Sequence, residues 1–333
     1  MTKSRVLWFL LALVLAAGLF TLLRPPEMPL PPVATVTIAV PMQINSATML
    51  VASAQGLFER AGVKVTIQPF ELGKDALQSV RDGHADLALV ADTPLMFALQ
   101  AGADIGILAG VSQGRRTMAV IARKDRGIQR LEDLKGRSVG LSLGTNLTYF
   151  LDAMLQVHGI SSSTVRLVDL PTAQVVHALM TGKIDAAVLY QPFLSQVVAQ
   201  MKDQTTVFYG EDIYSARFFL TGKNPYIASH PQEIQRVLQG LLAAQDFIQS
   251  DPVRARGLVA SAVRMEDQTL ASMFDPEDYK LSLNQAMLLT LDDQTRWAMK
   301  RGLVTPGPMP NYLHATRYQH LEMVSPSAVT LVR

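Results

Sequence analysis

Four short segments of this chain gather side chains suited to holding a small polar solute: Pro41-Met42-Gln43-Ile44-Asn45-Ser46, Ala91-Asp92-Thr93-Pro94, Gly144-Thr145-Asn146 and Tyr190-Gln191-Pro192. Each follows an apolar run and leads into a helical pattern. Amides and hydroxyls placed there, beside the free N–H groups of a helix start, can bind an anion or a polar group without a full counter-charge. The candidate ligand-binding residues are Gln43, Asn45, Ser46 and Thr93 in the first half of the site and Thr145, Asn146, Tyr190 and Gln191 in the second. Ser46, Thr93 and Thr145 have plain helix capping as an alternative role, and capping and anion contact can coexist at one terminus. Arg115, Arg116 and Arg217 are further sources of positive charge, although surface arginines are ordinarily solvated.

The same sequence offers one lead to covalent chemistry. Gly140-Leu141-Ser142-Leu143-Gly144 has the G-x-S-x-G form of a hydrolase nucleophile elbow. In an elbow the helix begins directly after the serine. Here Leu143-Gly144 intervenes, and the alternation of Val139, Leu141 and Leu143 puts Ser142 inside a strand. Asp169 or Asp185 and His230 or His314 would have to complete a triad, so a serine hydrolase is the alternative reading. The six histidines, at 84, 158, 177, 230, 314 and 320, form neither H-E-x-x-H nor an i, i+4 pair, and no metal site is expected. No dinucleotide or phosphate-loop fingerprint appears, so no cofactor is expected. Met154, Leu155 and Met180 read as helix core.

The elements that must position these residues follow from length and pattern. The chain has 333 residues, enough for two domains of ordinary size after an N-terminal segment. Its net charge of +2 and the absence of any Lys/Arg run longer than Arg115-Arg116 exclude a nucleic-acid footprint. With no cysteine there is no disulfide, thiolate or Cys nucleophile, a composition suited to an oxidising compartment. Lys3 and Arg5 precede an uncharged stretch from 6 to 23 that as a helix covers roughly 27 Å, just enough to span a bilayer. Residues 1–24 are expected to be an uncleaved membrane anchor, with a signal peptide cut near Ala16-Ala17-Gly18 as the alternative. Either way the cationic flank stays cytoplasmic and the rest is exported. Prolines 25, 26, 29, 31 and 32 make 25–33 an extended linker.

Beyond the linker, expected strands at 36–40, 63–70 and 86–90 alternate with helices at 47–60, 74–81 and 94–100. A second set, strands 138–143, 165–170, 186–190 and 206–209 with helices 147–157 and 173–180, follows a charged connection at 123–126. A strand at 217–221 then returns to the first unit, followed by helices at 231–250, 252–263, 266–273 and 283–301. Such alternation argues an α/β fold with largely parallel sheets. It divides into a large lobe, 34–122 with 216–333, and a small lobe, 123–215, with hinges near 122–124 and 214–217. Ser46, Thr93 and Thr172 are expected at helix starts; Gly62, Gly83, Gly102, Gly159 and Gly182 follow helix ends. Asp86 and Asp185, each in a polar turn before a buried strand, read as structural partners of the turn. The tail 311–333 carries little pattern.

Four segments in order, ASAQGLFERAGVKVTI at 52–67, DALQSVRDGHADLALV at 75–90, LEDLKGRSVGLSLGTN at 131–146 and ALMTGKIDAAVLYQPF at 178–193, are similar to the nitrate/sulfonate/taurine substrate-binding proteins of ABC importers. The resemblance runs over about residues 36–222. It implies a two-lobed periplasmic-binding-protein fold of type II, with the ligand between the lobes, beyond the carboxyl ends of the strands. It further implies a non-enzymatic monomer on the periplasmic side of the inner membrane, anchored by its N-terminal helix or soluble after cleavage. That protein would pass a small anionic or polar organic solute to an ABC permease and its ATPase. A membrane-anchored sensor or scavenging module with the same fold is the alternative. Where relatives often carry a Trp-Glu-Pro-Tyr-like stretch, this chain reads Tyr190-Gln191-Pro192-Phe193, so the carboxylate that would pair with a substrate amine is absent. Related enzymes of thiamine pyrimidine synthesis depend on a cysteine-rich motif that this chain lacks, although pyrimidine binding remains an option.

Overall fold

The computed structural model describes residues 34–332. The expected anchor at 1–24 and the linker at 25–33 lie outside the described residues. Among the described residues no helix is long and apolar enough to cross a membrane.

Two five-stranded sheets organise the chain. The first takes β1 (Thr35–Pro41), β2 (Lys64–Phe70), β3 (Leu87–Ala91), β4 (Ile105–Gly114) and β10 (Ala216–Lys223) in the order β2-β1-β3-β10-β4. The second takes β5 (Met118–Arg123), β6 (Ser138–Leu141), β7 (Arg166–Asp169), β8 (Ala186–Tyr190) and β9 (Thr205–Phe208) in the order β7-β6-β8-β5-β9. The two orders are the same pattern. The second place in each sheet, β1 or β6, lies between two parallel neighbours, and the fourth place is filled by an antiparallel strand, β10 or β5. Strands buried on both faces, such as β3 and β8, read as continuous apolar runs because helices cover both sides of the sheet.

Each lobe repeats one device at its centre. The Asp86 carboxylate accepts from Thr37 N (2.8 Å) while Asp86 N donates to Thr37 O (2.9 Å). In the second sheet Asp185 accepts from Ser138 N (2.8 Å) and Ser138 Oγ (2.7 Å), and its own N–H donates to Ser138 O (3.1 Å). Both aspartates therefore clamp the start of one strand to the turn before its neighbour, as expected of structural rather than ligand groups.

The lobe boundary differs from the sequence expectation in one place. Residues 118–122, expected in the large lobe, form most of β5, which pairs with β8 and β9 of the second sheet. The first crossing between sheets is thus at 115–117 and not at 122–124. Both β4 and β5 are buried apolar strands separated only by Arg115-Arg116-Thr117, so little in their composition marks where one sheet ends. The return crossing runs between Phe208 and Ala216, where the sequence reading places a hinge near 214–217.

Local corrections have local causes. The helix expected over 47–60 is two helices, α1 (Ala47–Ala54) and α2 (Leu57–Arg60), because Gly56 adopts φ 62° and turns the chain between them. Ser46 precedes α1 but does not cap it; its Oγ donates to Pro41 O (2.7 Å). Thr172 is the first residue of its helix, after Pro171. The tail finds a role through contacts distant in sequence. Arg317 N donates to Ile107 O (2.8 Å), and Tyr312 and Leu321 are buried, so residues 311–324 cover the outer edge of β4.

At the first crossing Arg115 pairs with Asp278 across 3.4 Å, and burial pushes the Asp278 carboxyl up to about 6 against the pull of that arginine. A carboxyl whose folded value is raised contributes stability that is complete below its unfolded value and is lost as pH rises to the folded one. Wild-type stability is therefore expected to fall relative to Asp278→Asn by up to about 2 kcal/mol as pH rises from about 4 to about 6, in urea titrations at each pH. Separately, Asp86→Ala and Asp185→Ala are each expected to lower stability by about 1–3 kcal/mol through the strand N–H left unpaired, without removing a ligand contact. Denaturation paired with ligand titration checks this, and a loss of affinity at unchanged stability would contradict it.

Candidate functional site

Between the sheets lies a cavity lined from both, at the carboxyl ends of β1, β3, β6 and β8. Six of the eight expected residues line it: Gln43, Asn45, Thr145, Asn146, Tyr190 and Gln191. Room for the centre of a water-sized sphere amounts to only about 20 Å³, little more than one water needs, so the lobes are shut on a compact space.

Ser46 and Thr93 do not line the cavity. Ser46 is spent on the Pro41 carbonyl. Thr93 lies inside the helix α3 (Asp92–Gln100), whose first turn is already occupied by an acidic side chain of the chain itself. The fully buried Asp92 carboxylate accepts from Thr93 N (2.8 Å), Tyr214 Oη (2.5 Å) and Arg217 N (3.3 Å). Burial raises the Asp92 pKa, and hydrogen bonds from Tyr214 and from the backbone of Arg217 and Thr93 work against that rise. The helix start that would have received a solute is thus closed by Asp92. The other one is open: in α4 (Asn146–Val157) the Thr145 Oγ1 accepts from Leu147 N (3.3 Å), a true cap, and Thr145, Asn146 and Leu147 all face the cavity.

The polar groups in the cavity are held by partners behind them. Gln191 Oε1 accepts from Ser195 N (3.1 Å) and Ser195 Oγ (2.7 Å), which assigns the amide orientation and leaves Nε2 as a buried donor without a partner. Ser112 Oγ donates to Asn45 O (2.7 Å), fixing the Asn45 backbone, while Asn45 Oδ1 is buried and unpartnered. Thr117 Oγ1 is in the same condition. A Cβ on Gly114 would stand 2.3 Å from Asn45 Oδ1 and 2.4 Å from Thr117 Cγ2, so only glycine lets these two side chains meet at the crossing. Gln43 Nε2 (2.8 Å) and Tyr190 Oη (3.4 Å) both donate to Glu71 O. Burial raises the Tyr190 phenol well above its ordinary value, keeping it a neutral donor. Three unpartnered buried polar atoms on residues that line one cavity are unusual, since each costs about 1–3 kcal/mol unless something satisfies it.

The lining includes no Asp or Glu side chain, and its one charged residue is Lys74. None of the three arginines contributes. Arg115 pairs with Asp278; Arg116 pairs with Glu211 (3.3 Å) and lies 4.7 Å over the Tyr209 ring; and Arg217, half-buried, sits outside the lining. Lys74, Thr117 and Met118 were not among the expected residues. Lys74 follows the end of β2, a fifth strand end that carries the same signal as the four recognised ones. Thr117 and Met118 follow from placing the crossing correctly.

Ser142 lies four residues before α4, and its Oγ accepts from Lys74 Nζ (3.2 Å). Three of the four groups proposed to activate it are committed elsewhere: Asp185 to Ser138, Asp169 Oδ1 to Leu143 N (3.0 Å), and His230 to Ser229 and Tyr226. The nucleophile-elbow geometry is absent at this serine.

Residues 43–255 match the model of a family described as NMT1/THI5 like. The chain belongs to that family. An Escherichia coli chain provisionally described as an aliphatic sulfonates-binding protein is 25% identical over 241 residues, covering 70% of this chain and 73% of that one. The alkanesulfonate-binding protein SsuA of Xanthomonas axonopodis pv. citri, solved bound to MOPS, superposes with TM-score 0.74 at 18% identity, over 86% of this chain and 98% of that one. The desulfurization enzyme DSZB also superposes, with TM-score 0.65 at 14% identity, over 87% and 98%. The chain has the two-lobed fold of periplasmic binding proteins, a fold that serves both binding proteins and an enzyme.

Because the Thr117 hydroxyl is buried without a partner, Thr117→Val is expected to leave the ligand-free protein as stable as wild type or more stable by up to about 1 kcal/mol in urea denaturation. A loss of more than that would mean the hydroxyl is satisfied in the folded state and is not held for a solute.

Proposed function

We propose that this chain is the extracytoplasmic solute-binding subunit of an ABC importer, capturing a small anionic or polar organic solute of the sulfonate type between its lobes. The observation that carries this reading is the meeting of unpartnered Asn45 Oδ1, Thr117 Oγ1 and Gln191 Nε2 with the open start of α4, in a cavity whose lining has no carboxylate. Membership of the family and the sulfonate-binding relatives support it. With the lobes apart, the solute lands on one half of the site. Rotation about the crossings at 115–117 and 209–215 brings the second half onto it, and the hydrogen bonds completed on closing favour the shut form. The closed subunit presents its cargo to a membrane permease driven by an ATPase, and the chain itself performs no covalent step. Residues 1–24 hold it to the periplasmic face of the inner membrane and 25–33 space it from the bilayer, one copy acting alone.

A thermal-shift series on the exported domain tests this, using alkanesulfonates, taurine, nitrate, aromatic sulfonates and pyrimidines. A true solute at about 100 times its Kd stabilises by about 2.7 kcal/mol, a Tm rise of about 5 °C. Asn146→Ala and Gln191→Ala are each expected to weaken binding about tenfold to a hundredfold. No saturable stabilisation by any of these classes, combined with labelling of Ser142 by a serine-hydrolase probe, would overturn the proposal.

A further inference from the structure

Lys74 sits in the first turn of the helix Gly73–Asp82, on the large lobe, and its ammonium reaches across to the small lobe. There Nζ donates to Ser142 Oγ (3.2 Å) and to Leu143 O (3.2 Å). The acceptors belong to a braced loop: Leu143 N is held by Asp169 Oδ1 (3.0 Å) and Ser142 O by Thr145 Oγ1 (2.7 Å). The lysine stem therefore lies as a bar over the cleft. The same residue lines the central cavity and two outer grooves, one beside Arg81 and Phe97 and one beside Glu71 and Asp169. Lys74 is the one residue common to all three. Two of its three ammonium hydrogens are committed to the bridge.

We propose that Lys74 is the gate of this cleft and its charge-selecting residue, admitting monoanions and disfavouring solutes that carry an amine. The selection rests on the reading of the cavity as an anion site; the gate does not. Glu71, Asp75 and Asp169 line the outer grooves, so the selection acts inside the cavity, where Lys74 has no carboxylate in the lining to offset it and attracts a sulfonate while repelling the ammonium of taurine. Gln191, which adds a neutral donor and no counter-charge for an amine, points the same way.

The test uses the absence of native cysteine. Glu59→Cys and Ser163→Cys, at exposed positions of the two lobes, carry spin labels whose separation is read by double electron–electron resonance in the ligand-free protein. Adding Lys74→Met is expected to bring in a longer-distance component that Lys74→Arg does not. Calorimetry on the unlabelled protein is expected to show ethanesulfonate bound more tightly than taurine, with Lys74→Met costing ethanesulfonate about tenfold and narrowing the difference between the two. Identical distance distributions for wild type and Lys74→Met would overturn the gate. An equal loss of affinity for both ligands would overturn the selection. If wild type binds no anion at all, the importer reading and the selection fail together, while the distances still decide the gate.

Discussion

The architecture turns on one buried acidic side chain. Asp92 stands at the end of β3 with no exposure to solvent, and a carboxylate there is tolerable only if donors replace its water. The donors come from two directions, Thr93 N from its own helix and Tyr214 Oη with Arg217 N from the chain returning from the small lobe. Satisfying Asp92 thus fixes where the return crossing lands. It also sets β10 into its antiparallel place between β3 and β4, and it removes one helix start from the set that could receive a solute. The polar lining of the cavity is what remains: the other helix start, plus side chains whose polar ends the fold leaves open.

The two lobes solve the same packing problem with the same parts. Asp86 with Thr37, and Asp185 with Ser138, lock corresponding strands in the two sheets, and the strand orders correspond place by place. What differs is what each lobe offers the cleft. The large lobe supplies Gln43, Asn45 and the one cation; the small lobe supplies the open helix start, Tyr190 and Gln191. Neither half alone encloses a solute.

Much of this was legible in the sequence because local chemistry determines it. The glycines at 62, 83, 102, 159 and 182 all take positive φ at element ends, and the aspartates at 86 and 185 act as turn partners as their context implies. Six of the eight residues chosen from strand ends meet in one cavity for the same reason. The failures share a different cause. Ser46 and Thr93 carry the right functional groups, but a nearby carbonyl and a buried carboxylate compete for their surroundings, and that competition is visible only in three dimensions. The boundary between β4 and β5 is hidden because strands buried on both faces have no alternation to read. Lys74 was overlooked because its importance lies in what it faces across the cleft, and residues 311–324 because their partner, β4, is some two hundred residues away in sequence.

The placement of β10 has a consequence for how such a chain is made. The small lobe is drawn from one unbroken stretch, β5 to β9, whereas the first sheet lacks its fourth strand until residues 216–223 have emerged. During synthesis, β3 and β4 therefore wait with unpaired edges while an entire lobe is completed behind them. Pairings so distant along the chain close slowly, and open strand edges invite wrong partners in the interval. The large lobe, first to leave the ribosome, is the last to become whole.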